Sequence, residues 1–231
     1  MPISLHVWGD YACFTRPELK AERVSYEVMT PSAARGILSA IYWKPQFRWV
    51  IDRIHVLNPI RFTQVRRNEL GCRMTNPNGI YIDETDKDGK LKNRQQRAAT
   101  ILRDVAYVID AHIEITEHTE GVDDVGKHLS IFERRSAAGQ CFHQPCFGTR
   151  EFPAMFALVD ADHPAPECSL PPPQRNRSFG LMLHDMVYQD DPNGPIICAH
   201  TKKKQTATPH FFMAELQNGV LHVPSLSQTL S

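Results

Sequence analysis

Apolar and polar residues alternate from Ile3 to Trp8, with Ile3, Leu5 and Val7 set against Ser4 and His6, until Gly9-Asp10 breaks the run. A period of two predicts a first strand ending in a turn. After Thr30-Pro31 the period lengthens. A hydroxyl residue followed by proline is a helix start, and Ala34, Leu38, Ile41 and Tyr42 keep helical spacing up to Lys44-Pro45. The residue before a proline disfavours the α region, so the helix stops there. Phe47 to Leu57 and Ile60 to Val65 are rich in β-branched and aromatic residues and predict one second strand that leans outward past Asn58-Pro59. Arg66 to Arg103 is polar and carries the turn signals Asn76-Pro77-Asn78-Gly79 and Asp86-Lys87-Asp88-Gly89. Such a stretch predicts an extended β-hairpin, and its length implies a purpose.

Alternation returns at Val105 to Ile115, with Val105, Tyr107, Ile109, Ala111, Ile113 and Ile115 on one face of a half-buried strand. Val122, Val125, Leu129 and Phe132 then recur every three to four residues, and Gly139 follows as a C′ glycine, which predicts a second helix. Phe152 to Val159 predicts a fourth strand. The order β-α-β, long hairpin, β-α-β predicts an α+β fold. Its N-terminal domain over residues 1–160 is ferredoxin-like (RRM-like, split βαβ), with a hairpin insert at about 66–104. Residues 161–177 hold Pro164, Pro166, Pro171, Pro172 and Pro173 and read as a linker. Residues 178–231 predict a small antiparallel β-sheet domain from Ser178 to Tyr188, Pro195 to Thr201 and a hairpin, Phe211 to Val223, around Asn218-Gly219. No internal repeat is present.

Composition narrows the class without naming a partner. The 231 residues contain 26 Lys+Arg and 26 Asp+Glu, with 42% hydrophobic and 23% charged residues, as in ordinary globular proteins. No run of 18 apolar residues exists, and Met1-Pro2-Ile3-Ser4 opens into strand-like sequence rather than a basic and then apolar leader. These features predict a cytoplasmic protein that does not enter a membrane, with Cys13, Cys72, Cys141, Cys146, Cys168 and Cys198 as reduced thiols. The balanced charge is nonetheless segregated. Arg61 to Asp104 holds ten Lys/Arg against six Asp/Glu, Val105 to Val125 holds six Asp/Glu and no Lys/Arg, and Gly126 to Arg150 sets Lys127, Arg134, Arg135 and Arg150 against Glu133. Two basic segments around an acidic one suit an anionic ligand gripped locally, although charge runs are also common on solvated faces.

Chain direction brings the chemistry together. In the predicted topology the first helix ends where the second begins, so Tyr42 with Trp43-Lys44 meets Gly126-Lys127-His128. A helix N-terminus offers free N–H donors and positive potential, which makes Lys127 and His128 a seat for a phosphate. A tyrosine hydroxyl, an ammonium and an imidazole there can perform acid–base chemistry without a metal. His128 would move protons near neutral pH, and Lys127 would steady charge on the phosphorus oxygens. Other motifs fare worse. Residues 121–128 have the spacing of a phosphate-binding loop, but His128 replaces the required hydroxyl and Asp123-Asp124 would repel a triphosphate. Cys141, His143 and Cys146 offer three ligands where structural zinc takes four. The adjacent acids Asp123-Asp124 and Asp190-Asp191 diverge too much for a two-metal site.

Longer blocks carry a resemblance. Gly9-Asp10-Tyr11-Ala12-Cys13-Phe14-Thr15-Arg16-Pro17-Glu18, Glu22-Arg23-Val24-Ser25-Tyr26, Thr30-Pro31-Ser32-Ala33-Ala34-Arg35-Gly36-Ile37-Leu38, Ala40-Ile41-Tyr42-Trp43-Lys44-Pro45, Gly126-Lys127-His128, Gly139-Gln140-Cys141-Phe142-His143-Gln144-Pro145 and Phe147-Gly148-Thr149-Arg150-Glu151-Phe152-Pro153-Ala154 resemble the CRISPR-associated endoribonucleases of type I-C (Dvulg) systems. These form the fifth CRISPR-associated family of the RAMP superfamily. The resemblance spans the chain, most loosely at Asn68 to Arg94 and beyond Pro164. It implies the same two-domain fold and a catalytic set of Tyr42, Lys127 and His128. It further implies cleavage of precursor CRISPR RNA by its own 2′-hydroxyl, giving a 2′,3′-cyclic phosphate and a 5′-hydroxyl without metal or other cofactor. The implied partners are repeat RNA and crRNA, the backbone and large subunits of the surveillance complex, and target DNA indirectly. Arg66, Arg67, Arg94 and Arg97 on the hairpin, with Arg134 and Arg135 on the second helix, are candidate RNA-backbone contacts. The alternative is a non-catalytic subunit that binds the crRNA handle.

Overall fold

The computed structural model describes residues 2–19, 21–72, 79–116, 124–198 and 202–231. Gly121, Val122 and Asp123 of the 121–128 loop motif, Asn76-Pro77-Asn78 and Thr201 lie outside the described residues. The chain runs β1 (Ile3–Ala12), α1 (Pro31–Ile41), β2 (Phe47–Val56), β3 (Phe62–Leu70), β4 (Arg94–Ile115), α2 (Val125–Ala137), β5 (Met155–Leu158), the single turn α3 (Pro172–Arg175), β6 (Arg177–Asp190), β7 (Ile196–Ile197), β8 (Lys204–Gln217) and β9 (Val220–His222). The fold is α+β and dominated by one antiparallel sheet. Its order is β5-β1-β4-β2-β9-β8-β6, with β3 paired to β4 and β7 to β8.

Local chemistry sets the helix ends. Thr30 caps α1 by accepting a hydrogen bond from the Ala33 N–H, and Pro31 occupies the first helical position, where a missing N–H costs nothing. Asp124 caps α2 through Gly126, and Gly139 leaves the helix at φ +65°, a conformation glycine adopts without strain. Both helices cover the same face of the sheet. Ala34, Ile37, Leu38 and Ile41 of α1, with Leu129 and Phe132 of α2, enter one core with Leu5 and Val7 of β1, Phe47, Trp49 and Ile54 of β2, and Tyr107 and Ile109 of β4.

Four expectations change. First, Phe47 to Val65 is two strands: β2 ends at Val56, and β3 turns away to pair with the first half of β4, from Phe62 opposite Leu102 to Leu70 opposite Arg94. Second, β4 runs 22 residues, so it is both an arm of the hairpin and a central strand of the sheet. Third, its central segment is buried on both faces. Ala106, Val108 and Asp110 are enclosed like Tyr107 and Ile109, because Leu57 packs against Ala106 and Val108 on the face away from the helices. Fourth, the strand at 152–159 shrinks to Met155–Leu158 beside β1.

The C-terminal strands continue the main sheet. Asn218 (φ +52°) and Gly219 (φ +84°) form the tight turn between β8 and β9, and β9 pairs with β2 from Arg53 opposite His222 to His55 opposite Val220. Gly148 shows a second backbone constraint. A Cβ there would lie 2.0 Å from the Cys13 carbonyl oxygen, so only glycine lets residues 147–153 close over the end of β1.

Candidate active site and nucleic-acid interface

Tyr42 follows the last residue of α1, and His128 lies in the first turn of α2. The Tyr42 hydroxyl is 2.9 Å from His128 Nδ1, and both side chains are 4% exposed. Aromatic packing fixes the pair: the Phe47 ring centroid lies 4.8 Å from that of His128 and 5.6 Å from that of Tyr42. Backbone contacts hold Tyr42 from three sides. Its N–H donates to the Leu38 carbonyl, its carbonyl accepts from the Trp49 indole N–H at 2.9 Å, and Arg135 Nη1 donates to the carbonyl of Ile41 at 3.2 Å. The Arg135 guanidinium also lies over the Tyr42 ring, 5.1 Å from its centroid.

Lys127 is exposed on α2 next to His128, and Trp43 and Lys44 are exposed next to Tyr42. Exposed residues thus flank both members of the buried pair in sequence. The helix end is less open than its sequence suggests, because the Gly126 N–H is taken by Asp124 Oδ1 at 2.8 Å. Lys127 is thus the cation this terminus presents.

The six candidate RNA-binding arginines separate into groups. Arg67 and Arg97 face each other across β3 and β4 on the side of the hairpin that turns toward the body. Arg67 pairs with Glu151 and, at 3.4 Å, with Glu69, and Arg97 lies 3.6 Å from Glu69. The Glu69 carboxylate also takes Arg23 at 3.0 Å. Hydrogen bonding to Glu151 holds the Arg67 guanidinium even more firmly protonated than usual. Arg66 is exposed on the opposite side of the hairpin; Arg94 shares that side, is half-buried and pairs with Asp83 at 3.2 Å. Arg134 is exposed on α2, whereas Arg135 is committed to Ile41 and Tyr42. That role went unread in the sequence, although the seven-residue spacing from His128 to Arg135 puts both on one helix face.

Among the described residues no three His, Cys, Asp or Glu converge to hold a metal ion. The run from Cys141 to Cys146 instead folds back on α1, where the N–H groups of Phe142 and His143 both donate to the Ala40 carbonyl, at 2.9 and 3.0 Å. The cysteines are all free thiols. No helix among the described residues is long and apolar enough to cross a membrane. A cleft of about 310 Å3 between α1, β2 and β6 is lined by Arg35, Trp49, His184 and Tyr188 and by neither Tyr42 nor His128.

A polar cluster absent from the sequence reading lies on the sheet face away from the helices. Asp110, 5% exposed, accepts from Ser4 Oγ at 2.6 Å, forms an ion pair with Arg53 Nε at 2.9 Å and lies 2.8 Å from His55 Nε2. Burial pushes its carboxyl up, but the bonds from His55 and Ser4 and the charge of Arg53 outweigh that and hold it below the usual carboxylate range. An acid amid the apolar run Val105 to Ile113 was its sequence signal.

The chain is thus an antiparallel α+β protein with a long hairpin and a buried Tyr–His pair. The family model described as CRISPR-associated protein (Cas_Cas5) matches residues 3–224, and the chain belongs to this family. The CRISPR pre-crRNA endoribonuclease Cas5d of Mannheimia succiniciproducens is 51% identical over 235 residues, covering 96% of this chain and 94% of its own. The protein of the same name from Thermus thermophilus is 40% identical over 227 residues, covering 96% and 91%. Two solved structures match with a TM-score of 0.66. One, described as a CRISPR-associated protein, is 23% identical over 99% of this chain and 94% of its own. The other, the functionally uncharacterized SMU1763c of Streptococcus mutans, is 22% identical over 100% and 96%. Both speak to the fold.

Proposed function

We propose that this protein is the endoribonuclease that cuts precursor CRISPR RNA within its repeat, with Tyr42, Lys127 and His128 as catalytic residues and no metal required. The observation that carries the mechanism is the 2.9 Å contact between Tyr42 and His128 at the first turn of α2, beside exposed Lys127. The relatives named as pre-crRNA endoribonucleases support the substrate. The RNA 2′-hydroxyl attacks its own adjacent phosphorus. Its proton passes to the Tyr–His unit, the bond from phosphorus to the 5′ oxygen breaks, and that oxygen takes up a proton. The products are a 2′,3′-cyclic phosphate and a 5′-hydroxyl, and no water is consumed. Lys127 supplies the positive charge against the phosphorane oxygens, the part a metal plays elsewhere. A Tyr–His pair joined by one hydrogen bond also lets the proton move between base and acid positions.

The finer architecture is likewise our reading. The order β5-β1-β4-β2, antiparallel throughout with α1 and α2 as crossovers on one face, supports a ferredoxin-like unit over residues 1–160. Residues 161–177 then link it to a C-terminal β unit at 178–231. Arg66, Arg94 and Arg134 are the better candidates for RNA-backbone contacts, since Arg67, Arg97 and Arg135 serve the protein itself. We also place the protein on the 5′ handle within the surveillance complex, beside backbone and large subunits. The test is incubation of purified protein with labelled repeat RNA in EDTA, with a parallel substrate carrying one 2′-deoxy nucleotide immediately 5′ of the cut. Cleavage should persist in chelator and vanish with the deoxy substrate. Loss of cutting in EDTA with recovery in Mg2+, or normal cutting of the deoxy RNA, would refute the mechanism.

A further inference from the structure

Phe142 is 74% exposed, an unusual state for a phenylalanine that is held in place. Its N–H and that of His143 converge on the Ala40 carbonyl, two residues before Tyr42, and the His143 ring sits edge-on to it with centroids 4.4 Å apart. The segment is anchored at both ends. The Gln140 N–H donates to the Arg135 carbonyl at 2.8 Å, Gln144 Nε2 donates to the Ala154 carbonyl at 3.1 Å, and Pro145 is buried. The ring therefore pays little ordering entropy on binding.

A groove of about 370 Å3 opens beside this segment and is lined by Thr15, Ser32, Gly36, Ala40, Gln144 and Gly148 among others, with no acidic residue in its walls. Exposed Lys44 lies beyond Tyr42, and α2 exposes Lys127 and Arg134. An apolar ring held beside an acid-free, hydroxyl-bearing groove matches a flat aromatic base on a polyanionic backbone. We propose that Phe142, backed by His143, is a stacking shelf for one base of single-stranded RNA flanking the cut, and that the adjoining groove takes the strand's backbone. This rests on the endoribonuclease reading and adds a specificity-determining contact outside the Tyr42, Lys127 and His128 set.

The experiment is a binding and cleavage comparison of wild type, Phe142→Ala and Phe142→Tyr on repeat RNAs in which single abasic nucleotides are scanned through the positions around the cut. Phe142→Ala removes an exposed ring, so its melting temperature should match wild type. At one position the abasic RNA should bind wild type on the order of tenfold more weakly, the usual worth of a base–aromatic stack. Phe142→Ala should lose the same factor on the intact RNA and nothing further on that abasic RNA, while Phe142→Tyr should behave as wild type. A Gly36→Leu variant should weaken binding as well, because its side chain enters the groove from a position where a Cβ meets no atom within 4 Å. Unchanged affinity of Phe142→Ala, or strictly additive losses at every position, would overturn the shelf while leaving the enzyme intact. A wild-type protein that neither binds nor cuts the intact RNA would instead overturn the functional reading on which the shelf depends.

Discussion

Because Tyr42 and His128 meet inside the core, substituting either residue acts on both chemistry and stability, and the two effects separate by measurement. His128→Ala should slow single-turnover cleavage about 10²–10⁴-fold, the usual loss for a general acid or base, with RNA affinity close to wild type. It should also cost about 1–3 kcal/mol in chemical denaturation, because the buried Tyr42 hydroxyl loses that partner. Wild-type turnover with the same stability loss would reduce the pair to a tie between helices. Lys127→Ala, at an exposed site, should slow cutting and weaken binding without moving the melting temperature. The Arg135 guanidinium bonds the Ile41 carbonyl and lies over the Tyr42 ring, the contacts of a positioning residue. Arg135→Met should lower kcat with KM nearly unchanged, and Arg135→Lys should recover part of it. A loss confined to KM would return Arg135 to the RNA-binding set.

At the scale of elements, the hairpin of β3 and β4 has two unlike faces. Strand alternation puts Val65, Arg67 and Glu69 toward the body, where Arg67 meets Glu151, and Arg66 on the other side. Arg66→Ala should therefore weaken RNA binding and reduce its salt slope by about one released counterion, leaving stability alone. Arg67→Ala should do the reverse, lowering the melting temperature because Glu151 and Glu69 lose a cation they share. An unchanged salt slope in Arg66→Ala would put the RNA on another face. Read from the sequence, Arg66 and Arg67 fell together as candidate RNA contacts. Nothing local to the hairpin tells which of its sides meets Glu151, 84 positions later in the chain.

At the scale of the whole molecule, the β2–β9 pairing joins the N-terminal strands to the C-terminal hairpin, and His184 is buried where β6 meets the 224–226 segment. Burial pushes the His184 imidazole down, only partly offset by its bond to the Pro224 carbonyl, and burial alone lowers His6. The unfolded chain takes up protons at these rings near pH 6.5, whereas the folded one resists until lower pH. Stability from both should be complete above about pH 6.5 and decline as pH falls below it. Melting temperatures between pH 7.5 and 5.5 should show that decline, and His184→Gln should flatten it; an identical slope in the variant would remove His184 from the account. Much of this architecture was readable beforehand. The Thr30 cap, the turn at Asn218-Gly219 and the meeting of Tyr42 with His128 follow from local stereochemistry and from the direction each element must run, both of which a single chain encodes. Only the tertiary structure decided that β9 adds to β2, that β4 is buried on both faces around Asp110, and which arginines remain available to a ligand. Hydrophobic periodicity specifies the face a residue presents, whereas its neighbour on that face comes from remote segments brought together by packing.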